Sequence, residues 1–220
     1  MRLTYEYELQ ELNRELKEMA RRVECAIGQT VQAFADHNRT LAAEIIRGDR
    51  TVNDMERAIE SRCLSLILKQ TPVAGDLRVV SSALKVVTDL ERIGDHASDI
   101  AELILQVHGD GSYQMIRHLP EMEEAVKEML HDSIEAFIAR DDQMAQEIIR
   151  MDDQVDQLFD QTKKDVAQMM KSSMDDESID NAIDFLMAAK YLERIGDHAV
   201  NICEWTQFSK TGTVKNIRLL

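Results

Sequence analysis

Glu91, Asp95 and Asp99 stand four residues apart, and Glu193, Asp197 and Asn201 repeat that spacing. On a helix, side chains four apart differ by about 40° in direction and about 6 Å along the axis, so each trio forms one column. Apolar residues lead into both columns in steps of seven: Leu77 and Leu84 before Glu91, Ile179 and Leu186 before Glu193. Steps of seven keep to one helix face. The acids therefore continue an apolar seam at the edge of a buried face, where a merely solvated stripe would not put them. A preceding segment carries counterparts. Ala42, Asp49, Glu56 and Cys63 share one line, with Ile46, Asn53, Glu60 and Ile67 beside it, and further on Ala145, Asp152, Phe159 and Val166 run next to Ile149, Asp156 and Lys163.

Carboxylates that converge across such a groove repel, and each loses hydration worth several kcal/mol unless something positive joins them. Oxygen-rich clusters suit hard or borderline cations such as Fe, Mn, Mg or Ca, with Zn also admissible, and acids one turn apart can bridge neighbouring ions. The plainer alternative is a metal-free charged seam in which the acids pair with Arg92, Arg194, Arg78 or Lys190. Repetition of the whole octapeptide Leu90-Glu91-Arg92-Ile93-Gly94-Asp95-His96-Ala97 as Leu192-Glu193-Arg194-Ile195-Gly196-Asp197-His198-Ala199 favours a site. Gly94 and Gly196 fit that reading, since glycine inside a helix costs about 1 kcal/mol relative to alanine and leaves room for another backbone. His96 and His198 fall about 100° off the columns and read as flanking groups, not ligands. Glu128 and His131 have the three-residue spacing of di-iron carboxylate enzymes, but those need a second such pair, and none is present.

The elements that must carry these columns are helical throughout. Apolar residues recur at three- and four-residue steps from about Tyr5 to Asp36, from Leu41 to Gln70, and from Asp76 to Val107. Asp36-His37-Asn38 supplies turn and cap chemistry, and Thr71-Pro72 stops the second helix, because proline lacks the amide proton and clashes with the preceding turn. Gly109-Asp110-Gly111-Ser112 interrupts the pattern. Three more helices follow, from about Glu121 to Ala139, Gln143 to Met170 and Glu177 to Phe208, with a turn at 171–175.

The second half copies the first. Glu91 and Glu193 are 102 positions apart, while Glu44-Ile45-Ile46-Arg47 and Glu147-Ile148-Ile149-Arg150, like Phe34 and Phe137, are 103 apart. The expected architecture is all-α: two tandem, pseudo-symmetric three-helix bundles packed side by side. Residues 1–108 make the first bundle, 109–120 a linker, 121–209 the second bundle, and 210–220 a mobile tail.

Composition narrows the partners. Asp and Glu number 41 against 26 Lys and Arg, a formal charge of −15, which opposes nucleic acid and anionic lipid. No run approaches the roughly 20 apolar residues of a membrane span, and the start has no secretory layout, so a cytoplasmic protein without direct membrane insertion is expected. Cys25, Cys63 and Cys203 are too widely spaced for a zinc or disulfide framework and read as reduced core residues. The twelve methionines read as pliable core packing. No phosphate loop, nucleophile elbow or Ser/Cys-His-Asp set is evident.

The repeated octapeptide, the turn Gln70-Thr71-Pro72-Val73-Ala74-Gly75-Asp76-Leu77-Arg78 and the tandem three-helix layout together resemble the PhoU family of regulators of bacterial phosphate uptake. The likeness covers about residues 5 to 208. It implies a negative regulator of the phosphate-starvation response, often dimeric, that connects the ATPase of the phosphate ABC transporter to the sensor histidine kinase of the phosphate regulon. Some members carry multinuclear iron or zinc clusters on Glu/Asp-x-x-x-Asp motifs. By that resemblance the metal-binding positions are Glu91, Asp95 and Asp99, Glu193 and Asp197 with Asn201, Asp152 and Asp156, and Asp49 with Asn53, with Fe or Zn as the metal and Mn or Mg as alternatives. Asn53 and Asn201 depart from an all-acid pattern. Two other readings stand beside this adaptor: a metal-dependent hydrolase or oxidase working through the carboxylates, and a metal-free helical scaffold.

Overall fold

The computed structural model describes residues 2–72, 74–106, 118–172, 176–214 and 217–218. Among these residues six helices follow one another: α1 (Arg2–Ala35), α2 (Arg39–Gln70), α3 (Gly75–Gln106), α4 (His118–Ala139), α5 (Asp142–Ser172) and α6 (Asp176–Thr211). None is long and apolar enough to cross a membrane.

The helical periodicity becomes burial. On α1 the seam Leu12, Leu16, Met19, Val23, Ile27, Val31 and Phe34 is buried throughout. One turn design serves both copies. His37 (φ 49°) and Arg140 (φ 54°) take left-handed backbone, and the next residue caps the following helix. Asn38 Oδ1 accepts from Leu41 N at 3.0 Å, and Asp141 Oδ1 accepts from Gln143 N and Met144 N at 3.0 and 3.1 Å. These are orphan amides of a first helical turn, and a short polar side chain satisfies them. At the other end of α2, Thr71 is left-handed (φ 43°) and its N–H donates to Ile67 O before Pro72 ends the helix.

Within each copy the three helices pack on one another: α1 with α2 and α3, α4 with α5 and α6, α2 with α3, and α5 with α6. The copies join along two pairings, α1 with α4 and α3 with α6. Phe34 of the first copy meets Phe185 of the second with ring centroids 5.5 Å apart. One hydrophobic cluster runs through both copies. Among the described residues, the backbones of the outer helices α2 and α5 approach only helices of their own copy.

Three expectations change. The chain is already helical at His118, so residues 118–120 belong to α4 and not to a linker, and Pro120 sits in the first turn, where its missing N–H is tolerated. The breakers at 109–112, the turn at 173–175 and Val73 lie outside the described residues. The closing stretch is not simply an aperiodic tail: Lys210 and Thr211 complete α6, Gly212 turns at φ 76°, and β1 (Thr213–Val214) pairs antiparallel with β2 (Ile217–Arg218). Cys25 is exposed, while Cys63 and Cys203 are buried as expected.

Candidate functional site

Each copy builds a groove between its second and third helices. On α2, Asp49 and Glu56 are half-buried between the fully buried Ala42 and Cys63, as their shared line requires. Glu91 and Asp95 oppose them from α3. A Cβ added to Gly94 would lie 3.1 Å from Val52 Cγ1 and 3.6 Å from Asp49 Oδ1. The bare backbone there is what lets α2 and α3 close. Asp49 Oδ2 accepts from Asn53 Nδ2 at 3.0 Å, but Asp49 Oδ1 and Asn53 Oδ1 are buried without a hydrogen-bond partner among the described residues.

The electrostatics follow from that crowding. Burial, then Asp95, raises the Asp49 carboxyl. Burial, then Asp95, raises Glu91, and burial with Glu60 raises Glu56. Arg92 supplies the local compensation, bonding Asp95 Oδ2 at 2.9 Å and approaching Glu91 Oε2 at 3.5 Å from the exposed rim.

The second groove repeats the plan with different walls. Asp152 on α5 faces Gly196 on α6, where an added Cβ would lie 3.1 Å from Asp152 Oδ1. Burial, then Asp156 and Asp197, pushes Asp152 up to about 6. Asp197 is also raised, by burial and then Glu193, although both it and Asp156 reach solvent. Lys190 bonds Glu193. Where the first groove has Glu56, the second has Phe159, with Lys163 and Lys190 over its ring at 4.9 and 5.4 Å. The first groove is thus the more acidic and the second carries more of its own counter-charge.

Asp99 and Asn201, the last members of the two columns, turn toward the α3–α6 seam between the copies. His96 Nδ1 lies 3.3 Å from Asp99 Oδ2; Asn201 Nδ2 donates across the seam to Asp89 Oδ1 at 3.2 Å, and His198 Nδ1 meets the same oxygen at 2.8 Å. Asp99 is still close enough to raise Asp49. The structure therefore gathers Asp49, Asn53, Glu91 and Asp95 in one groove and Asp152, Asp156, Glu193 and Asp197 in the other, and takes Asn201 out of the second.

The charged-seam alternative is realised at Arg92 and Lys190 only. Arg78 instead points its Nε and Nη2 at the carbonyls of Ser209 and Lys210, both at 3.5 Å. His131 faces Glu24 on α1 at 3.6 Å. Among the described residues, no three His, Cys, Asp or Glu side chains converge closely enough to hold an ion as they stand. The donor chemistry nonetheless fits a cation in the first groove: two buried acceptor oxygens lack partners among the described residues, and burial, then the neighbouring Asp95, holds Asp49 and Glu91 toward the protonated form.

A PhoU domain model matches residues 16–104 and 119–206, one match for each copy. The chain belongs to the PhoU family. It is 37% identical over 212 residues to the phosphate-specific transport system accessory protein PhoU homolog of Clostridium acetobutylicum, covering 96% of each chain. With PhoU of Escherichia coli K12 it shares 34% over 199 residues, 90% of this chain and 81% of that one. The crystal structure of the phosphate transport system regulatory protein PhoU from Streptococcus pneumoniae superposes with a TM-score of 0.87 at 31% identity, covering 96% and 98% of the two chains. PhoU from Pseudomonas aeruginosa gives 0.86 at 31% identity, covering 95% and 100%.

Against this family background, sequence reasoning missed Asp89 and Tyr191. They occupy the same place in the two copies, two residues before Glu91 and Glu193. Tyr191 stacks on His96 at 5.6 Å while Asp89 holds His198. A mismatch directly beside a perfect repeat was the available signal.

Proposed function

We propose that this chain is an accessory protein of phosphate-specific transport that restrains phosphate uptake and the phosphate-starvation response. It acts as a homodimeric cytoplasmic adaptor between the transporter ATPase and the sensor histidine kinase, and not as an enzyme. The observation that carries this reading is the double PhoU match, one per bundle, within relatives aligned over most of their length. The partners and the direction of control extend what the relatives' names state.

The grooves are the adaptor's cation sites in this reading. Asp49, Asn53, Glu91 and Asp95 would hold ions in the first, with Glu56 beside them, and Asp152, Asp156, Glu193 and Asp197 in the second. A bound cation supplies the positive charge that the acids lack. The protein's own part is to fix the opposing helices: Gly94 and Gly196 permit close approach, Asn53 orients Asp49, and Arg92 and Lys190 hold the rim acids. Support comes from the unpartnered oxygens of Asp49 and Asn53 and from the raised Asp152. A hydrolase or oxidase reading has no comparable observation behind it.

The test is chromosomal. Deleting the gene should raise expression of a phosphate-starvation reporter in phosphate-replete cells; the native gene should restore repression, and a Glu91→Ala copy should restore it poorly and yield purified protein with less bound metal. A deletion strain with unchanged reporter output would sink the regulatory reading, and equal metal content in both proteins the cation reading.

A further inference from the structure

The α3–α6 seam holds two histidines that the acid grooves do not use. His96 and His198 come from opposite copies, and their ring centroids are 5.6 Å apart. Each ring has its Nδ1 against a carboxylate, Asp99 for His96 and Asp89 for His198. An ionised carboxylate only accepts, so in each neutral ring Nδ1 carries the proton and the Nε2 lone pair is left over. Neither Nε2 has a hydrogen-bond partner among the described residues, and both rings line one open groove of about 510 Å³ together with Asp197 and Arg194. Imidazoles that ligate metals show this arrangement, one nitrogen donating to a carboxylate that fixes tautomer and ring plane while the other faces the ion. Here it occurs twice, on two rings that line one space.

The separation also fits. Two imidazoles holding one ion through Nε2 at about 2.0–2.1 Å place their centroids about 5.2 Å apart at a tetrahedral angle and about 5.5 Å at a trigonal one. Stacking of His96 on Tyr191, at 5.6 Å and 29° between planes, and burial of Asp89 at 9% exposure keep both rings in place. We propose that His96 and His198 form a two-histidine site for a borderline divalent cation, of the Zn²⁺, Cu²⁺ or Ni²⁺ class, that clamps the first copy to the second. Among the described residues, no third His, Cys, Asp or Glu completes a set, so water fills the remaining positions. Imidazole prefers these ions, whereas the oxygen-only grooves prefer harder ones.

Cu²⁺ alone is the probe. The full chain is titrated with it and coordinated imidazole is read by pulsed electron paramagnetic resonance, with affinity taken from competition against a chelator. In the wild type, one bound equivalent should show two imidazole couplings. His96→Gln and His198→Gln, each checked for native helicity, should each lose the two-imidazole signal, and Asp89→Asn should keep it while weakening affinity about 10- to 100-fold. The two-imidazole signal must survive in an Asp49→Asn, Asp152→Asn double variant, so that failure of the groove reading leaves this site standing. Absence of the signal in wild type, its persistence in either folded histidine variant, or its loss in the aspartate variant overturns the proposal.

Discussion

Asp152 Oδ1 would stand 3.1 Å from a Cβ on Gly196, and Val52 Cγ1 would stand equally close to one on Gly94. The distances are the same but the neighbours are not. Asp152 can swing its carboxylate toward the open groove, whereas Val52 is 3% exposed, β-branched and packed on every side. Alanine gains about 1 kcal/mol of helix propensity at either place. Gly196→Ala should therefore leave stability within about 0.5 kcal/mol of wild type while weakening cation binding in the second groove. Gly94→Ala should lose about 1–3 kcal/mol through overpacking. Urea unfolding of both variants, with metal titrations, separates the two outcomes.

Asp152 makes the fold pH-sensitive in a defined direction. Its folded value, about 6, lies above the unfolded value of 3.8, so the native state binds the proton more tightly. The penalty is full above pH 6, shrinks as pH falls through that value, and is gone below about 4. Asp152→Asn should raise stability at pH 8 by about 1 kcal/mol, a figure reduced from the full shift for partial solvent screening, and change nothing at pH 4. Thermal melts of metal-free protein across that range check it; equal gains at both ends would contradict the assignment.

The thiols should separate cleanly. Burial pushes Cys63 and Cys203 up to about 12, and both are fully buried, so neither offers thiolate at neutral pH. Cys25 is exposed. Native protein should titrate one thiol with a disulfide reagent and denatured protein three, and a Cys25→Ser variant none in the native state.

Arg62 is the cross-brace of the first bundle. Its Nε and Nη2 bond both oxygens of Glu15 at 2.7 and 2.8 Å, and its Nη1 bonds Glu8 at 2.7 Å, tying α2 to α1. Bidentate charge-assisted bonds are the stronger kind. Arg62→Met should cost about 1–2 kcal/mol in chemical denaturation, and Arg62→Lys should recover less than half of that, because lysine cannot match the fork.

The elements differ in how legible they are in the sequence. Helix positions were legible within a few residues because long 3.6-residue periodicities and paired cap signals at Asn38 and Thr71 agree. The grooves were legible because steps of seven conserve direction, which placed Asp49 opposite Glu91 and Asp95 without any knowledge of contacts. Periodicity describes only one helix at a time, however. It could not show that Asp99 and Asn201 rotate toward the other copy, since that depends on how α3 crosses α6. For the same reason His96 and His198 read as bystanders, although their carboxylate partners include Asp89, 109 positions from His198. Cys25 was misplaced because α1 buries one narrow face and Cys25 lies between Val23 and Ile27, just off it.

The outer position of α2 and α5 gives the molecule a mechanical grammar. Each groove has one wall, α3 or α6, bolted into the joint between the halves, and one wall supported only from its own half. Under the proposed cation binding, filling or emptying a groove would load these two walls unequally, and the displacement would fall on the helix with fewer anchors. The outer flanks are therefore the faces where occupancy of the interior can be felt from outside.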